Sequence, residues 1–122
     1  METQMKKYLA IFTCAENSEN HLAWRKLSVD ERNDRIQKGE VAKARWQAAF
    51  GKQVVLEISS LGEKTKRVNS SGVHEIASQM GAFAVVLAPS HDEAAKMFLD
   101  HPHFALFPGD GVEVLELTES RG

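Results

Sequence analysis

The sequence predicts an α+β fold, in which an antiparallel sheet carries two helices on one of its faces. Two observations lead to this prediction. The C-terminal third is a strand–helix–strand unit, with an apolar run at Ala82–Ala88, a helix that begins at Ser90 and a second apolar run at Val112–Leu117. The N-terminal part repeats the pattern, because the apolar run Lys6–Thr13 is followed by a long helix that begins at Ser28.

Length and composition are those of a single globular domain. The chain has 122 residues, of which 43% are hydrophobic and 26% charged, and its formal net charge is −2. We expect one domain over residues 1–122, with tails at 1–5 and 119–122. This charge balance offers no basic field for a nucleic-acid backbone, so no nucleic-acid partner is expected. The apolar runs are too short for a membrane span or a signal peptide, which makes the cytoplasm the expected location.

The first strand is expected at the centre of the sheet. Lys6–Thr13 carries apolar side chains on both alternating sets, which is typical of a strand that is covered on both faces. Residues 16–26 are polar and are predicted to form a loop. Ser28 and Glu31 then form a capping box, which begins a helix that extends through a weak point at Gly39 to residue 50.

The middle of the chain is predicted to contain a hairpin. Gln53–Ile58 is rich in β-branched and apolar residues and predicts a second strand, and Thr65–Val68 predicts a short third strand that pairs with it. Asn69–Gly72 has the composition of a tight turn. Residues 73–80 are predicted to form a loop.

The order of these elements is that of the ferredoxin-like split arrangement, with both helices on one face of the sheet. The opposite face then has no cover from this chain, although residues of both parities are apolar: Phe83, Val85 and Leu87 lie on one side, and Ala84, Val86 and Ala88 on the other. Exposing apolar surface costs about 25 cal/mol per Å², and a large exposed apolar patch usually marks an interface. We therefore expect a homodimer that packs sheet against sheet.

A family resemblance rests on five short segments: Lys7–Phe12, Ala82–Leu87, Asp92–Ala95, His101–His103 and Val112–Val114. Together they resemble the YCII-related proteins, which are small domains of the dimeric α/β-barrel group. The resemblance covers most of the chain, from about residue 6 to the last strand. It implies a ferredoxin-like protomer that dimerises through its sheet and has a cleft between helix and sheet. Most members of the family have no established activity.

The chain departs from this family at the positions that would support catalysis. Some YCII-like proteins are thought to use a His–Asp pair, with the His on the first long helix and the Asp just after the second strand. The position expected for that His holds Glu40, residues 59–63 contain no Asp, and the Asp-Gly-Pro-Phe motif of another branch is absent. Glu40 is therefore either a functional carboxylate in the cleft or an exposed helix residue, and enzymatic activity is left open.

Four further side chains are candidates to line the cleft. His101 and His103 could bind a metal or transfer a proton, or instead interact with the helix C-terminus and lie on a loop. Glu57 interrupts an apolar strand and is either a buried carboxylate that faces the cleft or an exposed residue of an edge strand. Trp46 could stack on a ligand ring or belong to the core. Neither a metal site nor a cofactor is predicted, because Cys14 is the single cysteine and no third metal ligand or cofactor motif is evident.

Three functions are compatible with the sequence. The first is a YCII-like domain of unknown specific activity that binds a small molecule in the helix–sheet cleft of a homodimer. The second is a non-catalytic assembly or regulatory module, whose cleft is filled by side chains such as Trp46 and Phe107. The third is a cofactor-free enzyme that acts on a small organic acid or aromatic. A concave pocket that holds Glu57 or His103 would favour the first, and a structure without a cavity would favour the second.

Overall fold

The chain folds as a mixture of helices and antiparallel strands, and the computed structural model describes residues 4–15, 17–62, 64–99, 101–103 and 106–118. The strands are β1 (Lys6–Thr13), β2 (Val54–Ser60), β3 (Lys64–Asn69), β4 (Gly72–Ala77), β5 (Met80–Ala88) and β6 (Gly111–Glu116). The helices are α1 (Glu19–Arg25), α2 (Val29–Phe50) and α3 (His91–Lys96), and a 3₁₀ turn at Gly51–Gln53 joins α2 to β2. The predicted α+β class is confirmed.

Four strands form one antiparallel sheet in the order β2-β5-β1-β6, and β3 and β4 form a second, two-stranded sheet. Within the larger sheet, Ala10 of β1 lies opposite Ala84 of β5 on one side and opposite Val114 of β6 on the other. The prediction that the first apolar strand is central is therefore confirmed.

The hydrophobic core lies between one face of this sheet and the helices. Side chains alternate between the two faces of a strand, and the even-numbered residues of β1 and β5 are the buried ones. Their odd-numbered neighbours, such as Leu9 and Val85, point to the second face and are half-buried. The buried cluster consists of Tyr8, Ala10, Phe12, Ala84, Val86 and Ala88 from the sheet and Trp46, Ala94, Met97 and Phe98 from the helical segments.

Helix α2 begins at the predicted capping box. The Ser28 hydroxyl accepts the Glu31 backbone N–H at 3.1 Å, and the Glu31 carboxylate accepts the Ser28 backbone N–H at 3.0 Å. The helix continues without a break through Gly39, the predicted weak point. Glycine is required there because a Cβ atom would lie 2.7 Å from Cε2 of Phe107, whose ring packs against the helix backbone.

The loop prediction for residues 16–26 is wrong, because α1 occupies most of this segment. Its N-cap is Ser18, whose hydroxyl accepts the backbone N–H of His21 at 3.2 Å. None of the helix residues is buried, so no apolar periodicity marks the helix in the sequence.

The predicted pairing in the middle of the chain is also wrong. β3 pairs with β4, from Lys64 opposite Ala77 to Asn69 opposite Gly72, instead of with β2. Residues 73–80 were predicted to form a loop, but β4 occupies residues 73–77 and β5 begins at Met80. Gly72 adopts a φ of 127°, a conformation that side chains disfavour, at the tight turn predicted for this segment.

No helix within the described residues is both long and apolar enough to cross a bilayer.

Candidate functional site

Two of the five predicted site residues meet in one groove. Glu40 of α2 and Glu57 of β2 line a cavity of about 220 Å³ at the outer edge of the sheet, together with Lys43, Ala44, Gln47 and Ile58. The structure thus brings the two candidate carboxylates together, and it places Trp46, His101 and His103 elsewhere.

The helix wall of this groove follows from helical periodicity. Glu40, Lys43, Ala44 and Gln47 are spaced i, i+3, i+4 and i+7, so they lie on one face of α2. The Lys43 ammonium lies 3.9 Å from the Glu40 carboxylate. Among the described residues the Glu57 carboxylate has no ion-pair partner, although it lies in the same groove. The groove therefore offers the Glu57 carboxylate, the Gln47 amide and the Lys43 ammonium, which is only loosely paired with Glu40.

Trp46 belongs to the core. It is 5% exposed, and its indole N–H donates to the Met97 backbone oxygen at 2.6 Å. Its ring stacks on Phe98 with the ring centroids 5.2 Å apart, and it meets His101 edge-on at the same separation. Because both its polar atom and its ring faces are occupied by protein groups, Trp46 supports the fold.

His101 is a buried imidazole in the same aromatic cluster. Its Nδ1 accepts the backbone N–H of His103 at 3.1 Å, so the ring proton is assigned to Nε2. That Nε2 is buried and has no hydrogen-bond partner among the described residues. Burial, with smaller effects from nearby His103 and Lys43, lowers the pKa of His101 from 6.5 to about 4. The side chain is therefore neutral at physiological pH.

The side chain of His103 lies next to Thr13, the last residue of β1. Its Nε2 is 2.8 Å from the Thr13 backbone oxygen, and its ring meets Phe12 edge-on with the centroids 5.1 Å apart. A Cβ atom at Gly109 would collide with this ring, so the glycine allows the 106–110 segment to approach closely. Burial lowers the pKa of His103, and the hydrogen bond to Thr13 partly offsets this by favouring the charged form. His103 therefore joins the end of β1 to the segment before β6.

A polar cluster surrounds this junction and was not predicted from the sequence. The Thr13 hydroxyl donates to the Asp110 carboxylate at 2.6 Å. The Cys14 thiol donates to the Pro108 backbone oxygen at 3.0 Å, and its sulfur lies 3.5 Å from Nδ1 of His21. The Asn20 side-chain amide donates to the Gly109 backbone oxygen at 2.7 Å. Asn20 and His21 both lie on α1, so a loop prediction for residues 16–26 could not place either side chain at this junction.

The cluster holds Cys14 in its protonated form. Burial and, to a smaller extent, the Asp110 carboxylate raise the pKa of the Cys14 thiol above its ordinary value of 9.0. The thiolate is the nucleophilic species, so these contacts favour a structural role. The imidazole of His21 beside the thiol does not reverse this effect.

Metal binding finds no support in the part of the chain that the structure describes. There, no three His, Cys, Asp or Glu side chains lie close enough to hold a metal ion.

Comparison with known proteins returns no match, either to a protein-family model or to a curated protein sequence. The resemblance to the YCII-related proteins therefore stays a prediction.

Proposed function

We propose that this chain is a YCII-like, ferredoxin-like protomer of a dimeric α/β barrel, and that the homodimer binds a small molecule in the groove between α2 and β2. The strand order β2-β5-β1-β6 supports the fold. If α1 is treated as an extra helix before α2, and β3 and β4 as an insertion between β2 and β5, the chain follows the order β-α-β-β-α-β that is typical of ferredoxin-like domains.

The observation that carries the homodimer is a row of apolar side chains across the second face of the sheet. Leu56 pairs with Val85, Val85 with Leu9, and Leu9 with Leu115, so the row crosses all four strands. At its ends, Leu56 is 45% and Leu115 is 47% exposed. The helices pack on the other face of the sheet, so the row is available to a second protomer.

A sheet-to-sheet interface requires an extended apolar face, and further apolar side chains extend this row along the strands. Stable interfaces bury about 800 Å² on each partner, and each 100 Å² of apolar surface removed from water contributes about 2.5 kcal/mol before the costs of association. Ile11, Phe83 and Leu87 have the same parity as the row and extend it along the strands. A second copy presents an identical face, which is the self-complementary contact of a two-fold dimer.

The groove between α2 and β2 supports the binding of a small polar molecule. Glu57 offers a carboxylate without an ion-pair partner among the described residues, and Lys43 and Gln47 offer donors on the facing helix. Ile58 gives the groove an apolar side. A ligand that carries both a donor and an acceptor could bond to both walls.

An assembly module without a ligand is the second candidate, and the packing between helix and sheet favours it. Trp46 is buried there, and the ring of Phe107 packs against Gly39 of α2. These side chains occupy interior space in which a dimeric-barrel ligand would be expected, and the groove between α2 and β2 lies at the surface.

Sedimentation equilibrium at micromolar concentrations tests the homodimer. The parent chain is expected to form dimers, and the double substitution Leu56→Asp and Leu115→Asp should raise the dissociation constant at least 100-fold. Both leucines are already partly exposed, so the protomer should stay folded. Val41→Asp is the matched control, since Val41 is 55% exposed on α2. A parent chain that is monomeric throughout would refute the proposal.

A thermal-shift screen with amino acids, amines and carboxylic acids tests the groove. A ligand that binds the native state raises the melting temperature in proportion to the logarithm of its concentration above Kd. A genuine groove ligand should lose its effect in Glu57→Gln and keep it in Glu19→Gln, which changes an exposed carboxylate on α1. If no compound stabilises the parent chain, the assembly module is the better description.

A further inference from the structure

The two-stranded sheet of β3 and β4, which we term the arm (residues 64–77), stands apart from the rest of the protomer. Its strands pair with each other along their full length, and neither belongs to the four-stranded sheet. All six residues of β4 are exposed, and in β3 only Thr65 is partly buried. A two-stranded hairpin without further packing is only marginally stable in water.

The arm continues the two strands on which it is built. Ser60 at the end of β2 pairs with Ala82 of β5, and the next residue, Leu61, donates its backbone N–H to the Gly81 oxygen at 2.9 Å. The arm thus begins within a few residues of the ladder between β2 and β5. Six residues per strand at about 3.3 Å each give it a length of roughly 20 Å.

The turn of the arm, Asn69–Gly72, is polar, but the strand pair next to it consists of two valines, which we term the tip valines. Val68 and Val73 lie opposite each other and are 73% and 63% exposed. Ile76, closer to the base, is 44% exposed. Between the base of the arm and these valines, the Lys66 ammonium and the Glu75 carboxylate are 3.1 Å apart. This ion pair supports the pairing of β3 with β4 but leaves the side chains of Val68 and Val73 exposed.

The charge of the arm is opposite to that of the rest of the chain. Lys64, Lys66 and Arg67 face a single carboxylate, Glu75, so the formal charge of the arm is +2. The whole chain carries −2, which leaves −4 on the remainder. The positive charge of the arm is therefore attracted to the negatively charged remainder of another copy of this chain.

We propose that the arm clasps the second copy in the homodimer, with its tip valines packed against the partner. This inference rests on the proposed sheet-to-sheet dimer. Leu56 of β2 and Val85 of β5 belong to the apolar row, and the arm connects these same two strands in the chain. A protomer seated on that row lies beside the base of the arm and within the 20 Å or so that the arm spans.

Hydrogen exchange on the full chain, at concentrations above and below the measured dimer dissociation constant, tests the inference. Backbone amides of residues 64–77 should exchange at least tenfold more slowly in the dimer than in the monomer. Amides of β1, which is paired on both sides within one protomer, should change much less.

A pair of matched variants completes the experiment. Val73→Asp should weaken dimerisation tenfold or more, whereas Ser70→Asp, which adds the same charge at the exposed turn, should weaken it much less. A chain that is monomeric at every concentration refutes the dimer itself. A dimer whose arm amides exchange as fast as in the monomer, or that tolerates Val73→Asp as well as Ser70→Asp, refutes the clasp and leaves the sheet interface intact.

Discussion

Replacing His101 by Asn should make the stability of this protein markedly less dependent on pH between 7.5 and 5.0. His101 is 5% exposed and packs among Phe12, Trp46 and Phe98, where a charged imidazole has no water to solvate it. Asn keeps a side-chain acceptor near the position of Nδ1, so the backbone N–H of His103 can stay paired, and Asn does not titrate.

The magnitude follows from linkage. The pKa of His101 is lowered from 6.5 to about 4 in the folded state, so between these values the unfolded chain binds the proton and the folded chain does not. Stability is therefore complete above pH 6.5, falls as the pH decreases, and reaches its lowest level below pH 4. Between pH 7.5 and 5.0 this single group removes about 2 kcal/mol from the free energy of unfolding.

Urea denaturation at steps of half a pH unit, followed by tryptophan fluorescence, measures the effect. The parent chain should lose at least about 2 kcal/mol over this range, because the lowered pKa of His103 acts in the same direction. His101→Asn should lose about 2 kcal/mol less than the parent, whatever its stability at pH 7.5. His74→Asn, at an exposed position on β4, is the control and should retain the parental slope. Equal slopes for the parent and His101→Asn would refute the reasoning.

Three further predictions follow from individual contacts. Alanine is more favourable than glycine in a helix by about 1 kcal/mol, yet Gly39→Ala should lower the free energy of unfolding, because its Cβ would press on the ring of Phe107. In a double-mutant cycle of unfolding free energies, adding Phe107→Ala should restore the benefit of alanine. Ser28→Ala should cost about 1 kcal/mol by removing the capping box of α2, whereas Ser70→Ala at an exposed turn should cost nothing measurable by the same urea titration. Because the pKa of Cys14 is raised, the folded protein should react with iodoacetamide at pH 7.5 more slowly than the urea-unfolded chain does, and equal rates would contradict a protected thiol.

Burial and helix ends gave the clearest predictions, although β2, β3 and β6 were also predicted, from their β-branched and apolar residues, without containing a fully buried residue. The apolar residues on both faces of β1 predicted a central strand, and the capping box predicted the start of α2. Both predictions are confirmed. α1 and β4 have no buried residue. Without burial there is no hydrophobic periodicity, so neither element could be distinguished from a loop.

The site shows the same division. Glu40 and Glu57 could be singled out from the sequence, since one follows from a family resemblance and the other interrupts an apolar strand, and the structure places both in one groove. The bond between Thr13 and Asp110 joins residues 97 positions apart. Contacts of this kind depend on the pairing of β1 with β6 and on α1, a helix without apolar periodicity, so they could not be predicted from the sequence.

The position of β1 in the sheet has a consequence for biosynthesis. This strand is translated first, yet both of its neighbours, β5 and β6, come from the last third of the chain. At about 5–20 residues per second, the ribosome needs roughly 5–20 s after β1 before β6 is complete. Until β5 is complete the segment Tyr8–Phe12 has no partner strand, and until β6 is complete one of its edges stays open, so it can pair with other nascent chains. Transcripts that end before residue 111 should therefore yield aggregating fragments.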